Sequence, residues 1–169
     1  PSQHLHSEEM IKSIEKLGIK NFGITIMTVR NPYSRLESQY FYNFRKIFSV
    51  REINFGFFKR LLNFKTFNNY IKEAIDQTKK NRSYMNNHFR PQNEFEVFNP
   101  KIFKLENGFE VLFKYVENEL DSKKLGKYPD RIPRPYFSKF YRVKWGKDTI
   151  ELVNEFYKED FKKYNYKLK

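Results

Sequence analysis

Six consecutive residues, Ile24-Thr25-Ile26-Met27-Thr28-Val29, carry no charge and are mostly β-branched, and they run straight into Arg30-Asn31-Pro32. A β-branched run without polar alternation beyond threonine predicts a strand buried on both faces inside a parallel sheet. Asn is a good helix N-cap and Pro fits the first helical position, so a helix should follow at once. Leu36, Tyr40 and Phe44 fall on one face of it, and it should run to Ile47. A strand that hands over to a helix in this way belongs to α/β architecture, in which ligands bind beyond the carboxyl ends of the strands.

The rest of the chain continues the alternation. Ser7-Glu8-Glu9 supplies a capping hydroxyl and first-turn acids, and Met10, Ile11, Ile14 and Leu17 recur at helical spacing, which predicts a helix over 8–17 stopped by Gly18. Two further helical stretches are expected over Phe57–Leu62 and Asn68–Gln77, then a polar loop over Asn81–Gln92. Lys101–Leu105 is apolar enough for a second strand. Asn107-Gly108-Phe109-Glu110 resembles a capping box, opening a helix with Phe109, Leu112, Phe113, Val116 and Leu120 inward. Asp148-Thr149-Ile150-Glu151 should cap a last helix whose Ile150, Val153, Phe156 and Tyr157 face the core.

At 169 residues the chain suits a single domain, 1–169, and its 19 Phe and 12 Tyr supply enough apolar area for one core. Phe55, Phe57, Phe58, Phe64, Phe67 and Tyr70 are assigned to that core rather than to a sugar-stacking platform. No run approaches the roughly 18 consecutive apolar residues of a membrane span, and no charged-then-apolar leader pattern opens the chain. With no cysteine, disulfides and thiolate metal sites are excluded, and His4, His6 and His88 are the only histidines, which leaves zinc and haem poorly supplied.

Lys and Arg number 33 against 20 acids, a net charge of +13 that implies an anionic partner without identifying it. The excess is concentrated: residues 123–147 carry Lys123, Lys124, Lys127, Arg131, Arg134, Lys139, Arg142, Lys144 and Lys147 against the single acid Asp130. Such a segment is either a solvated, proline-broken loop or a ligand-facing one. Arg30 is the sharper candidate. At the end of the strand its planar fork is suited to a phosphate, next to a helix N-terminus whose free N–H groups and dipole favour anions. Ser38, in the first two turns of that helix, can add a hydroxyl donor. The plainer alternative is that Arg30 pairs with a carboxylate, and Glu106 at the end of the second strand is expected to pair with Arg30, Arg35 or Lys104.

The stretch Thr28-Val29-Arg30-Asn31-Pro32-Tyr33-Ser34-Arg35-Leu36-Glu37-Ser38-Gln39-Tyr40 resembles the signature of the carbohydrate sulfotransferase family, which contains Golgi glycan sulfotransferases and bacterial relatives. Asn87-His88-Phe89-Arg90-Pro91-Gln92, Ile102-Phe103-Lys104-Leu105-Glu106 and the closing Val153, Tyr157, Asp160-Phe161 and Tyr166 agree in order, so the resemblance covers most of the chain. It implies a P-loop-kinase-like α/β fold, a parallel sheet flanked by helices. It also implies transfer of a sulfuryl group from 3′-phosphoadenosine-5′-phosphosulfate to a hydroxyl of a carbohydrate, without a metal. Arg30 and Ser38 match the pair that holds the 3′-phosphate of this donor. The strand and Lys/Arg-containing turn that wrap the 5′-phosphosulfate in the family have no counterpart here, so the chain is expected to be an N-terminally truncated or degenerate member corresponding to the carboxyl-terminal three-quarters of the domain.

A sugar hydroxyl must lose its proton as it attacks sulfur, and a histidine is a suitable acceptor. The resemblance implies that His6, with His4 as second choice, is this base; the alternative is that they only cap or pack. His88, Arg90 and Gln92 match a loop near the family's active-site cleft and are candidates for contact with the acceptor, or else anchors of the loop. Ser138 and Lys139 stand where a late loop approaches the donor. The partners implied are the donor nucleotide and a hydroxylated glycan that can itself be anionic; nucleic acid is not expected. The location would be cytoplasmic for a bacterial or viral protein and the Golgi lumen for a eukaryotic one. Two rival readings remain open: a basic nucleic-acid-binding module using Lys/Arg with Phe/Tyr stacking, and an inactive remnant that keeps the fold.

Overall fold

The computed structural model describes residues 7–18, 23–48, 65–120 and 143–169, with the side chains of 44–48 outside the description. The expected helix over Phe57–Leu62, the aromatic residues from Phe55 to Phe64, and His4, His6, Ser138 and Lys139 lie outside the described residues. So does most of the basic segment.

The described residues form a mixed α/β unit. Strand β1 (Ile26–Val29) and strand β2 (Lys101–Lys104) pair in parallel, with Ile26 opposite Lys101 and Val29 opposite Lys104. Parallel strands need a long crossover. Here the connection contains helix α2 (Pro32–Phe48) and helix α3 (Phe67–Lys80). Helix α1 (Ser7–Lys16) precedes the sheet, α4 (Glu110–Glu119) follows β2, and α5 (Lys147–Phe156) and α6 (Lys158–Lys163) close the chain. Short 3₁₀ turns occupy Tyr84–Asn87, Gln92–Phe95 and Leu105–Asn107. No described helix is long and apolar enough to cross a membrane.

Local chemistry explains the boundaries of α2 and α1. Asn31 caps α2 as its sequence promised: its side-chain oxygen accepts the N–H of Tyr33 at 3.0 Å, and its carbonyl accepts the N–H of Arg35 at 2.9 Å. Gly18 takes φ +65° just past α1, the left-handed conformation in which glycine ends helices without a Cβ penalty. Three expectations are corrected. Strand β1 is not buried on both faces, since among the described residues Ile26 and Thr28 are exposed while Val29 is fully buried; the pairing is parallel, but the pattern alternates. The capping box at Asn107 does not form, because Asn107 belongs to a 3₁₀ turn and the N-cap position falls to Phe109, with no side-chain cap; Leu120, expected inward, is exposed. Helix α5 starts after Gly146, and Asp148 lies within its first turn, where its carboxylate accepts the N–H of Thr149.

The core is mainly helical. Tyr33, Leu36, Tyr40 and Phe41 from α2 meet Phe67, Ile71, Ala74 and Ile75 from α3, Phe89 from the loop between α3 and β2, and Val153, Tyr157 and Phe161 from the last two helices. Edge-to-face ring pairs tie these layers together: Trp145 stands 5.1 Å from Tyr33 and 4.7 Å from Phe67, and Tyr40 lies 5.2 Å from Phe67. The sheet adds Val29 and Phe103. This arrangement grips the strand-to-helix turn from both sides, since the residues flanking Arg30 and Asn31 are the buried Val29, Pro32 and Tyr33.

Candidate functional site

Arg30 is the first residue beyond β1, partly buried, and its peptide is held on both edges by one side chain. The Arg30 N–H donates to Gln92 Oε1 at 2.9 Å, and Gln92 Nε2 donates to the Arg30 carbonyl at 2.8 Å. The side-chain amide of Gln92 thus continues the β1 ladder one rung past Val29, where β2 has already turned away. Gln92 is itself fixed. Its N–H donates to Asp160 Oδ2 at 2.7 Å, and the neighbouring Asn93 N–H donates to Asp160 Oδ1 at 2.8 Å.

Asp160 is completely buried. Burial pushes its carboxyl above the ordinary carboxylate range, opposed by the backbone N–H groups of Gln92 and Asn93 and by the charge of Arg35. Arg35 is the second arginine of the motif, and its Nη1 donates to the carbonyl of Arg90 at 2.7 Å, which ties α2 to the same loop. Arg90 in turn donates through Nε to Glu94 at 2.6 Å, and Arg82 pairs with the other oxygen of Glu94 at 2.9 Å. The hydroxyl of the buried Tyr157 donates to the carbonyl of Phe89 at 2.6 Å. Residues 89–94 are therefore stapled to α2, to Tyr157 between α5 and α6, and to α6 by polar contacts that a core of this kind must satisfy internally.

The helix N-terminus beside Arg30 differs from expectation. Pro32 has no N–H, the Asn31 N–H donates to Glu106 Oε1 at 2.7 Å, and the Tyr33 N–H is taken by the Asn31 side chain. Two of the backbone donors at this end are thus engaged and a third is missing, so an anion here would rely largely on side chains. Glu106 accepts the Asn31 N–H through one oxygen and the Tyr166 hydroxyl through the other at 3.0 Å. Burial and the Glu106 carboxylate push the Tyr166 phenol upward, against the positive charge of Arg30, so Tyr166 stays a neutral donor at ordinary pH.

Of the residues singled out in the sequence, Arg30, Arg90 and Gln92 come together around this turn. Ser38 is on α2, half-buried, one turn beyond Ser34 on the same side of the helix. His88 is half-buried just before Phe89, after Met85, Asn86 and Asn87, which all have positive φ. Gln92, a candidate for acceptor contact, has its amide committed to Arg30 and Asp160, and Arg90 is committed to Glu94, so both serve as anchors of the loop. An open cleft of about 740 Å³ lies at the other end of the sheet, lined by Gly23, Thr25, Asn99, Lys101, Tyr115 and Glu119 among others. It faces the amino ends of both strands, where neither the arginine nor the loop reaches. No group of three potential ligands among the described residues could hold a metal ion.

Sequence reasoning missed the part played by Asp160. It stood in the closing stretch as one point of resemblance, and the signal that marks it is an acid followed by two apolar-spaced aromatics, Phe161 and Tyr164, inside a segment otherwise rich in lysine. Comparison of the chain with protein-family models, with curated proteins and with solved structures gave no match.

Proposed function

We propose that this chain is a sulfotransferase-like domain of P-loop-kinase-like architecture that binds 3′-phosphoadenosine-5′-phosphosulfate and serves transfer of its sulfuryl group to a carbohydrate hydroxyl. The observation that carries the reading is the turn Val29-Arg30-Asn31-Pro32. It places an arginine at the carboxyl end of a strand paired in parallel, with its peptide locked by Gln92. That is where α/β sheets bind phosphorylated ligands. Arg30 offers two parallel donors to the 3′-phosphate and Ser38 a hydroxyl. The basic balance of the chain would draw in both the nucleotide and an anionic glycan.

In the transfer itself, the acceptor oxygen forms a bond to sulfur as the bond from sulfur to the 5′-phosphate oxygen breaks. Adenosine 3′,5′-bisphosphate leaves, and the hydroxyl proton passes to His6 or His4. Positioning and charge stabilisation carry such in-line reactions. What is proposed for these 169 residues is the 3′-phosphate half of donor binding and the acceptor base; Ser138 and Lys139 would approach the donor from the late loop, with His88 facing the acceptor.

Calorimetric titration with adenosine 3′,5′-bisphosphate tests the reading. Arg30→Ala should weaken binding by about tenfold or more, the loss that follows removal of a charge-assisted bidentate contact. The opposite result, steeply salt-dependent binding of a single-stranded oligonucleotide with no affinity for the bisphosphate, would move the assignment to the nucleic-acid module.

A further inference from the structure

We infer that Gln92 and Asp160 are positioning residues for phosphate binding: Asp160 orients the Gln92 amide, and Gln92 fixes the peptide from which the Arg30 side chain springs. The inference rests on the nucleotide reading above and adds to it the residues that make the arginine selective. Three features support it. Gln92 bonds both the N–H and the carbonyl of Arg30, which is the pairing a neighbouring strand would give, yet it is supplied by a side chain from a loop 62 positions away. The amide has one orientation only, since Asp160 Oδ2 already accepts the Gln92 backbone N–H at 2.7 Å and stands 3.4 Å from Nε2, so the amide nitrogen must lie on the Asp160 side and the amide oxygen toward the Arg30 N–H. Both residues are almost wholly buried, so water does not substitute for either. A fixed root reduces the conformational freedom that a long arginine loses when it grips a phosphate.

The readout is a ratio. Adenosine 3′,5′-bisphosphate and adenosine 5′-monophosphate share all but the 3′-phosphate, so their relative affinity reports that subsite alone. Both are titrated calorimetrically, at one ionic strength, into the wild-type chain, Arg30→Ala, Gln92→Met and Asp160→Asn. Gln92→Met should compress the preference for the bisphosphate by about tenfold, toward the value of Arg30→Ala, and leave the monophosphate affinity within about twofold, as expected when one charge-assisted contact is misplaced. Asp160→Asn should shift the ratio in the same direction. Equal weakening of both nucleotides, or an unchanged ratio, overturns the positioning role while the nucleotide reading stands. A wild-type preference that Arg30→Ala does not touch overturns the nucleotide reading, and the inference with it. If Gln92→Met melts below the assay temperature, Asp160→Asn carries the comparison; if both do, the pair supports the fold in general and the inference is overturned.

Discussion

Replacing Asp160 by Asn is the most searching perturbation of this fold, because it keeps the side-chain shape while removing the charge and one acceptor and adding a donor. In the native chain each carboxylate oxygen serves one backbone donor, Gln92 N–H at 2.7 Å and Asn93 N–H at 2.8 Å, in a site with no solvent exposure. An Asn side chain has one acceptor, so one N–H faces an NH₂ group. The N–H left facing an NH₂ group becomes an unsatisfied buried donor, which costs about 1–3 kcal/mol, so a loss of about 2 kcal/mol is expected at neutral pH. That corresponds to a fall of about 4–8 °C in Tm for a chain of this size, or to a lower urea midpoint with unchanged slope. A midpoint equal to or above the wild-type value would refute the accounting. The pH dependence gives a second check. Burial, opposed by the Gln92 and Asn93 N–H groups, raises the folded-state pKa of Asp160, so the native chain holds this proton more tightly than the unfolded chain does. Stability from such a group is fully present below the unfolded value, about pH 4, and is lost as pH rises through the folded value. The gap between wild type and Asp160→Asn should therefore narrow from pH 4 toward neutrality. A gap that widens instead would mean that the two N–H groups outweigh burial.

Two other substitutions probe the turns that frame the site. Gly108 has φ +79° and ψ 173°, a region open essentially to glycine, with no atom within 4 Å of where a Cβ would stand. Gly108→Ala should destabilise by about 1–3 kcal/mol through backbone strain alone, read as a lower Tm, and a neutral result would show that the 105–109 turn relaxes freely. Asn31→Ala removes the acceptor of the Tyr33 N–H and should cost about 1 kcal/mol in urea denaturation, whereas Asn31→Ser should recover most of it. Equal losses in the two variants would mean that the Asn31 side chain acts through something other than the cap.

What the sequence reveals of this structure divides by range. The strand expected over Ile24–Val29, the Asn-Pro entry to α2 and the glycine after α1 are set by neighbours in the chain, through β-branching, capping and positive φ; the last two are found where residue type places them, and the strand is found over its last four residues, Ile26–Val29. The features that differ depend on contacts made far along the chain. Ile26 and Thr28 are exposed because the face of a strand is decided by what packs on it, which a β-branched run cannot specify. Asn107 fails as a cap because Gly108 takes a conformation that hands the N-cap position to Phe109. The Asp160–Gln92–Arg30 relay spans residues 68 and 62 positions apart, and Glu106 reaches the Asn31 N–H across 75. No local pattern encodes such pairs.

One consequence of the Asn-Pro entry was nevertheless present in the sequence itself. A proline in the first turn removes one of the donors on which helix N-termini rely for anions, and an asparagine cap occupies another. With Glu106 engaging the Asn31 N–H, the dipole end of α2 offers an incoming phosphate little in the way of backbone donors. Under the proposed reading, discrimination would then lie largely in side chains and be sensitive to how those side chains are rooted. A glycine-rich phosphate loop tolerates drift because many N–H groups share the ligand. A site built on one arginine would not, so under the proposed nucleotide reading the buried amide and carboxylate behind Arg30 should matter more than the number of cations on the surface.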